Sequence, residues 1–135
     1  MQLLPSWSTP VQSVLIYLQP SPIQLTNRTS ATEDIKDSLR LQFLAHAEQW
    51  CTSIIQAGFL AEPFDPKYGT PIYSPPGDWP LDDVAVAHAL LHYPMTDEGG
   101  CKILHHPEWN TGTFPSTLLS SAPPDLLQAL TVTDI

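Results

Sequence analysis

Cys101 has more chemistry open to it than any other side chain, because of what flanks it. It stands in the run Asp97-Glu98-Gly99-Gly100-Cys101-Lys102. Two glycines ahead of a thiol permit positive φ and let a bulky ligand approach the backbone closely. Lys102 and any free backbone N–H groups would lower the thiol pKa, whereas Asp97 and Glu98 would raise it. The plainer alternative is a buried cysteine that opens a strand. Two histidine pairs come next. His88 and His92 stand at i, i+4 on a helical pattern, and His105 and His106 lie four and five residues after Cys101. With one thiol, such pairs have the donor atoms for zinc. Yet there is no C-x-x-C, and no carboxylate is fixed beside the helical pair as in H-E-x-x-H. The helical pair is expected to flank the core edge instead. The chain has no G-x-S-x-G elbow, no G-x-G-x-x-G and no Walker lysine, so serine hydrolase, dinucleotide and P-loop chemistries lack support.

These residues need elements to hold them. Residues 11–18 (VQSVLIYL) are β-branched and aromatic-rich, then stopped by Pro20 and Pro22, which predicts a strand. Its continuous apolar run predicts burial on both faces. Residues 33–57 form the clearest helix. Ile35, Leu39, Phe43, Ala47, Trp50 and Ile54 recur every three or four residues, and Leu44, Cys51 and Ile55 widen the stripe. Ser30 to Glu33 fits a capping box, with Thr32 as a second candidate cap, and Gly58 is the expected stop. Residues 59–64 read as a short strand that Pro63 confines to an edge. A turn at 65–69 and a return over 70–74 would make a hairpin. Residues 81–92 predict a shorter helix with Asp82 and Asp83 in its first turn. Residues 96–100 read as a turn, and 101–105 and 113–120 as strands. Residues 1–10 are an irregular lead-in, and 124–135 a tail or short helix.

The chain has 135 residues, 42% of them hydrophobic and only 14% charged. That charge is below the ~25% of an average globular protein, and the length is one domain's worth, about 100–200 residues. The expectation is one domain over 1–135, with its 15 prolines confining regular structure to a few windows. A net charge of −9 repels phosphate backbones and anionic lipid, and no apolar run is long enough to span a bilayer. Neither nucleic acid nor membrane is an expected partner. Cys51 falls on the apolar stripe, so both cysteines are read as reduced thiols in a reducing compartment. No signal or transit pattern is visible, so the cytoplasm is the expected location. Trp50 is core by register; Trp7, Trp79 and Trp109 are spread along the chain, and Trp79 and Trp109 lie in loops, as partner anchors or as staples over the core.

The collinear order of these features resembles a known family. Ala57-Gly58-Phe59, Phe64-Asp65-Pro66, Gly69 and Tyr73-Ser74-Pro75 stand in the order of a helix stop, an aromatic strand, an acidic-proline turn and an aromatic return. They are followed by the acidic glycine turn up to Cys101-Lys102, by His105-His106, Trp109 and Ser120-Ser121-Ala122-Pro123. The pattern is similar to the C-terminal domain of the CblD cobalamin-trafficking family, that of methylmalonic aciduria with homocystinuria type D. The resemblance implies an α+β fold, a nitroreductase-like sandwich without flavin, with an antiparallel sheet packed by the two helices. It implies a non-enzymatic adaptor that meets a CblC-type cobalamin-processing protein. Cobalamin would pass transiently toward methionine synthase in the cytosol or methylmalonyl-CoA mutase in the mitochondrion. It implies contact with cobalamin at Gly99, Gly100 and Cys101, with Cys101 as a thiolate ligand to cobalt, and partner contacts at Lys102, His105 and Trp109.

This chain departs from the family pattern in three places. The family's adjacent cysteines are Gly100 and Cys101 here, so the ligand role either moves to Cys101 or is absent. The family domain begins with a further strand and helix, so a truncated or reduced member is expected. Residues 77–91 do not follow the family loop and read as a lineage-specific helix or lid. The alternatives are an interaction-only module that never touches cobalt, a small flavin-reductase-like protein and a zinc protein.

Overall fold

The structure, a computed structural model, describes residues 2–26, 28–98 and 100–131. The described elements are strand β1 (Ser13–Pro20), helix α1 (Ser30–Gln56), strand β2 (Ala61–Pro63), helix α2 (Asp83–Leu91), strands β3 (Met95–Glu98), β4 (Cys101–Leu104) and β5 (Thr113–Ser120), and helix α3 (Pro124–Thr131). They form an α+β arrangement in which every strand pairing is antiparallel. One sheet has the order β1-β5-β2, and β3-β4 is a separate hairpin.

The predicted stripe of α1 packs on one face of the three-stranded sheet. Phe43, Ala47, Trp50 and Ile54 meet Leu118 of β5, Ala122 and Leu127 of α3. Ile55, expected to widen the stripe, is instead 55% exposed. The helix starts three residues earlier than predicted. Thr29 is the cap, with its Oγ1 accepting from the Thr32 N–H at 3.2 Å, so neither Ser30 nor Thr32 takes that role. The predicted stop holds. Gly58 has φ +94, its N–H donates to Ile55 O, and the Phe59 N–H donates to Ile54 O. Those paired bonds close the helix as a Schellman motif.

A second cluster of Leu4, Phe64, Leu81 and Leu119 covers the opposite face of the sheet, with Trp7 and Val86 packed against it. Leu118 and Leu119 therefore serve opposite layers. This explains why β5 only loosely alternates: it is the middle strand, and polar Ser116, Thr117 and Ser120 are buried within it. Pro115 is tolerated there because β2 pairs only with residues 118–120, which leaves Pro115 with a strand neighbour on one side.

Three predictions need correction. The first strand runs to Pro20 and is an edge strand, with Val14 39% exposed, so it is not buried on both faces. Residues 95–98 form β3, which takes in the first three residues of the turn expected over 96–100. The 70–74 return shrinks to one bridge, Phe64 with Pro71. There the Ile72 N–H bonds Pro63 O, but the Tyr73 N–H bonds the side chain of Glu62 at 2.7 Å, which ends the ladder.

Candidate functional site

Cys101 opens β4 and is half-buried. Gly100 before it has φ +81, and a Cβ there would meet nothing within 4 Å. The glycine is needed for its backbone conformation, and the space over its own Cα is open. Gly99 lies outside the described residues. The groups expected to activate the thiol are engaged elsewhere. The Gly100 N–H donates to Asp97 Oδ1 at 3.0 Å, and Lys102 Nζ donates to Asp82 Oδ2 at 2.6 Å. That bond raises the pKa of Lys102. Asp82 is the cap of α2, its Oδ1 accepting from the Ala85 N–H at 3.1 Å, and not a first-turn residue as predicted. One carboxylate thus joins the start of α2 to the strand that carries Cys101.

The histidine pairs do not converge. His88 Nδ1 lies 2.6 Å from Tyr93 O, and His92 ends α2 in the left-handed region at φ 62. His105 Nε2 bonds Thr96 Oγ1 at 2.9 Å. His106 Nδ1 accepts from the N–H groups of Glu108 and Trp109, and its ring stacks on Trp109 at 4.3 Å. Among the described residues no three metal-binding side chains come together. The three proposed partner contacts are likewise apart in their bonding: Lys102 turns to Asp82, His105 to Thr96 and Trp109 to His106. Trp79 is 50% exposed, and Trp7 packs on the second core cluster.

Cys101 and Lys102 line a cleft of about 490 Å³ between the start of α1, the 66–69 turn, the start of α2 and the beginning of β5. That volume lies within the ~300–1,000 Å³ of small-molecule sites. Lys36, Arg40, Lys67 and Lys102 line it, four of the chain's five Lys and Arg residues. Most are already paired. Arg40 grips Asp65 in a fork, Nε to Oδ1 at 2.7 Å and a second bond to Oδ2, and Lys36 lies 3.8 Å from Glu33. The Arg40 guanidinium holds the Asp65 carboxyl below its ordinary range. On a strongly acidic chain the cleft is therefore a locally balanced patch.

Gly69 sets the wall of the cleft. It has φ +71, and a Cβ there would lie 2.5 Å from Leu81 O. The lining also includes a residue that the sequence marks only as part of the first turn of a helix. Asp83 is buried, and its Oδ1 has no hydrogen-bond partner among the described residues. Burial pushes its carboxyl up to about 7, and the neighbouring Asp82 and Asp65 add to the rise. The nearby Thr117 hydroxyl tempers it, although neither Thr117 Oγ1 nor Asp83 Oδ1 makes a hydrogen bond of ordinary geometry. One signal was present in the sequence: Asp83 and buried Ala87 are i, i+4, on one helix face.

Cys51 behaves as its register predicted. It is a free thiol inside the core, and burial, with the nearby Glu62, pushes it up to about 12.

Comparison with known proteins accounts for this frame. A family model described as methylmalonic aciduria and homocystinuria type D protein matches residues 1–132. The chain is 25% identical over 113 residues to a Gallus gallus protein named cobalamin trafficking protein CblD, covering 84% of this chain and 38% of that protein. It is 23% identical over 112 residues to the Homo sapiens protein of the same name, covering 83% of this chain and 38% of the relative. The chain thus spans well under half the length of the curated relatives it matches. With a match over nearly all of its residues, this chain belongs to the methylmalonic aciduria and homocystinuria type D protein family.

Proposed function

We propose that this chain is a cobalamin-trafficking adaptor without catalytic activity of its own. It docks on a CblC-type cobalamin-processing protein and presents Cys101 to the cobalt of the cargo. The observation that carries this reading is the position of Cys101: a half-buried thiol on a ligand-sized cleft, after a positive-φ glycine with open space around it. A thiolate is a soft donor and suits a transition-metal centre. The reading includes a nitroreductase-like origin for the single domain, no flavin, a cytoplasmic setting, and delivery toward methionine synthase or methylmalonyl-CoA mutase. Gly99 and Gly100 would leave room for the corrin, and Lys102, His105 and Trp109 would face the partner.

One observation favours a second reading, an interaction-only module. Lys102 and the Gly100 N–H, which would stabilise a thiolate, are committed to Asp82 and Asp97. The test is the visible spectrum of cob(II)alamin mixed with this chain and its CblC-type partner, repeated with Cys101→Ser. A new absorption pattern lost in the variant supports cobalt ligation. An unchanged spectrum, with the complex still forming on a sizing column, supports the adaptor without metal chemistry. Absence of both rejects the trafficking reading.

A further inference from the structure

The cleft beside Cys101 contains a group that thiol chemistry does not use. Asp83 is 8% exposed and lines the cleft, and its Oδ1, with the Thr117 hydroxyl nearby, makes no hydrogen bond of ordinary geometry among the described residues. A buried polar atom without a partner is costly to leave unmade. The charged groups around it offer little to an ionic ligand. Arg40 is held by Asp65, Lys102 by Asp82, and Lys36 lies beside Glu33. Lys67, 5.5 Å from the Tyr68 ring centre, makes no ion pair among the described residues. A ligand anion would face Asp82 and Asp83 on α2 and Asp65 on the turn, against Lys67 as the one lining cation that makes no ion pair among the described residues. Leu25, Leu81, Val84, Phe114 and Pro115 supply apolar walls.

What the site lacks is a neutral hydrogen-bonding group carried on an apolar body. Near neutral pH the Asp83 carboxyl is present in both forms, since its pKa is raised to about 7. Protonated, it offers one donor and one acceptor, the pattern that a primary carboxamide complements with two parallel hydrogen bonds. Ionised, it still accepts an amide N–H.

We propose that this cleft receives a primary carboxamide of the cobalamin, with Asp83 as the group that hydrogen-bonds it. The inference rests on the cobalamin reading above and deepens it. A corrinoid carries carboxamides around the edge of its ring, and Cys101 stands on the same cleft, so cobalt at the thiol brings that edge over Asp83.

The test has two arms. In the first, the nitrogen-15-labelled chain is titrated with benzamide and, separately, with benzoate, its anionic counterpart, and the backbone amides are followed by NMR. Benzamide shifts Gly69, Asp83, Val84 and Thr113 with a millimolar midpoint, as suits so small a ligand, and benzoate binds at least about tenfold more weakly. Asp83→Ala weakens benzamide about tenfold, whereas isosteric Asp83→Asn, which keeps one donor and one acceptor, stays within about threefold. Equal binding of benzoate, no shift in the cleft, or indifference to Asp83→Ala overturns the proposal. The second arm repeats the cob(II)alamin titration with Asp83→Ala. A weaker midpoint with an unchanged final spectrum supports the proposal, and an unchanged midpoint overturns it. If benzamide binds but the Cys101-dependent spectrum never appears, the cobalamin reading has failed and the corrinoid assignment falls with it. If the spectrum appears but benzamide does not bind, only the Asp83 subsite has failed.

Discussion

Asp83 makes stability depend on pH in a direction opposite to that of most carboxylates. Its pKa is 3.8 when exposed in the unfolded chain and about 7 in the fold, mainly because burial disfavours the charge. Between those values the folded chain keeps a proton that the unfolded chain has lost. Stability from this group is therefore complete below the unfolded value and is lost as pH rises through about 7. The rise from 3.8 to about 7 corresponds to about 4 kcal/mol in all, of which roughly 2–3 kcal/mol falls between pH 5 and 8. Domains of this size have only ~5–15 kcal/mol of net stability, so the effect is large. The other shifted carboxyls leave the window clear: Asp65 and Asp82 are lowered and titrate below it. Rising negative charge on the chain also disfavours the fold at high pH, so the comparison with Asp83→Asn isolates the residue. Urea unfolding at pH 5, 6, 7 and 8 is the assay. At ~2 kcal/mol/M the wild-type midpoint falls by more than ~1 M across the series. The variant changes little and is the more stable protein at pH 8. Parallel slopes for the two proteins, or a wild type that gains stability toward pH 8, would refute the burial argument.

The remaining predictions concern the thiols and the cleft walls. Native protein treated with a thiol-reactive dye gives one fast equivalent, at Cys101; Cys51 reacts only on unfolding, so labelling of both in the native state, read by mass spectrometry, contradicts its burial. Arg40→Ala leaves Asp65 as a buried charge without its fork and lowers stability by about 3 kcal/mol at pH 7, with the loss shrinking as Asp65 is protonated below pH 4. Denaturant melts at the two pH values check this. Gly69→Ala drives a methyl into Leu81 O at positive φ and costs about 2–3 kcal/mol, whereas Gly100→Ala, with open space around it, costs about 1 kcal/mol.

How much of this was legible depended on whether a residue's surroundings are local. The stripe of α1 and the stop at Gly58 depend on neighbours within a turn or two, and both were read from spacing. The boundaries of β5 were found for the same reason, but its place as the middle strand was not. Only the pairing of residues 13 with 120 and 61 with 120 reveals it. In the first strand a run of five apolar residues is compatible with either an edge or a centre, so it does not separate double-sided burial from the edge position that the fold gives it. Asp97 and Glu98 masked β3, since acidic residues next to glycines read as a turn even when a hairpin partner waits across it. Lys102 was expected to serve the thiol next to it in sequence. Its pairing with Asp82, across 20 residues, is not visible in one dimension. The family was legible from collinearity, which survives such local errors.

The pairing of β5 with both other strands of the sheet has a consequence for how the chain is made. Among the described residues neither β1 nor β2 has another strand to join. On a ribosome, α1 can wind as soon as it emerges, but it has no sheet to pack on until residues 113–120 have followed. Residues 61 and 120 are 59 apart in sequence and residues 13 and 120 are 107 apart, so both pairings are long-range and close late, which slows folding and leaves the apolar face of α1 without its sheet in the interval. A premature stop between residues 64 and 112 would yield β1 and β2 without the strand they both pair with, so a shortened product would be lost to misfolding rather than persist as a partial domain.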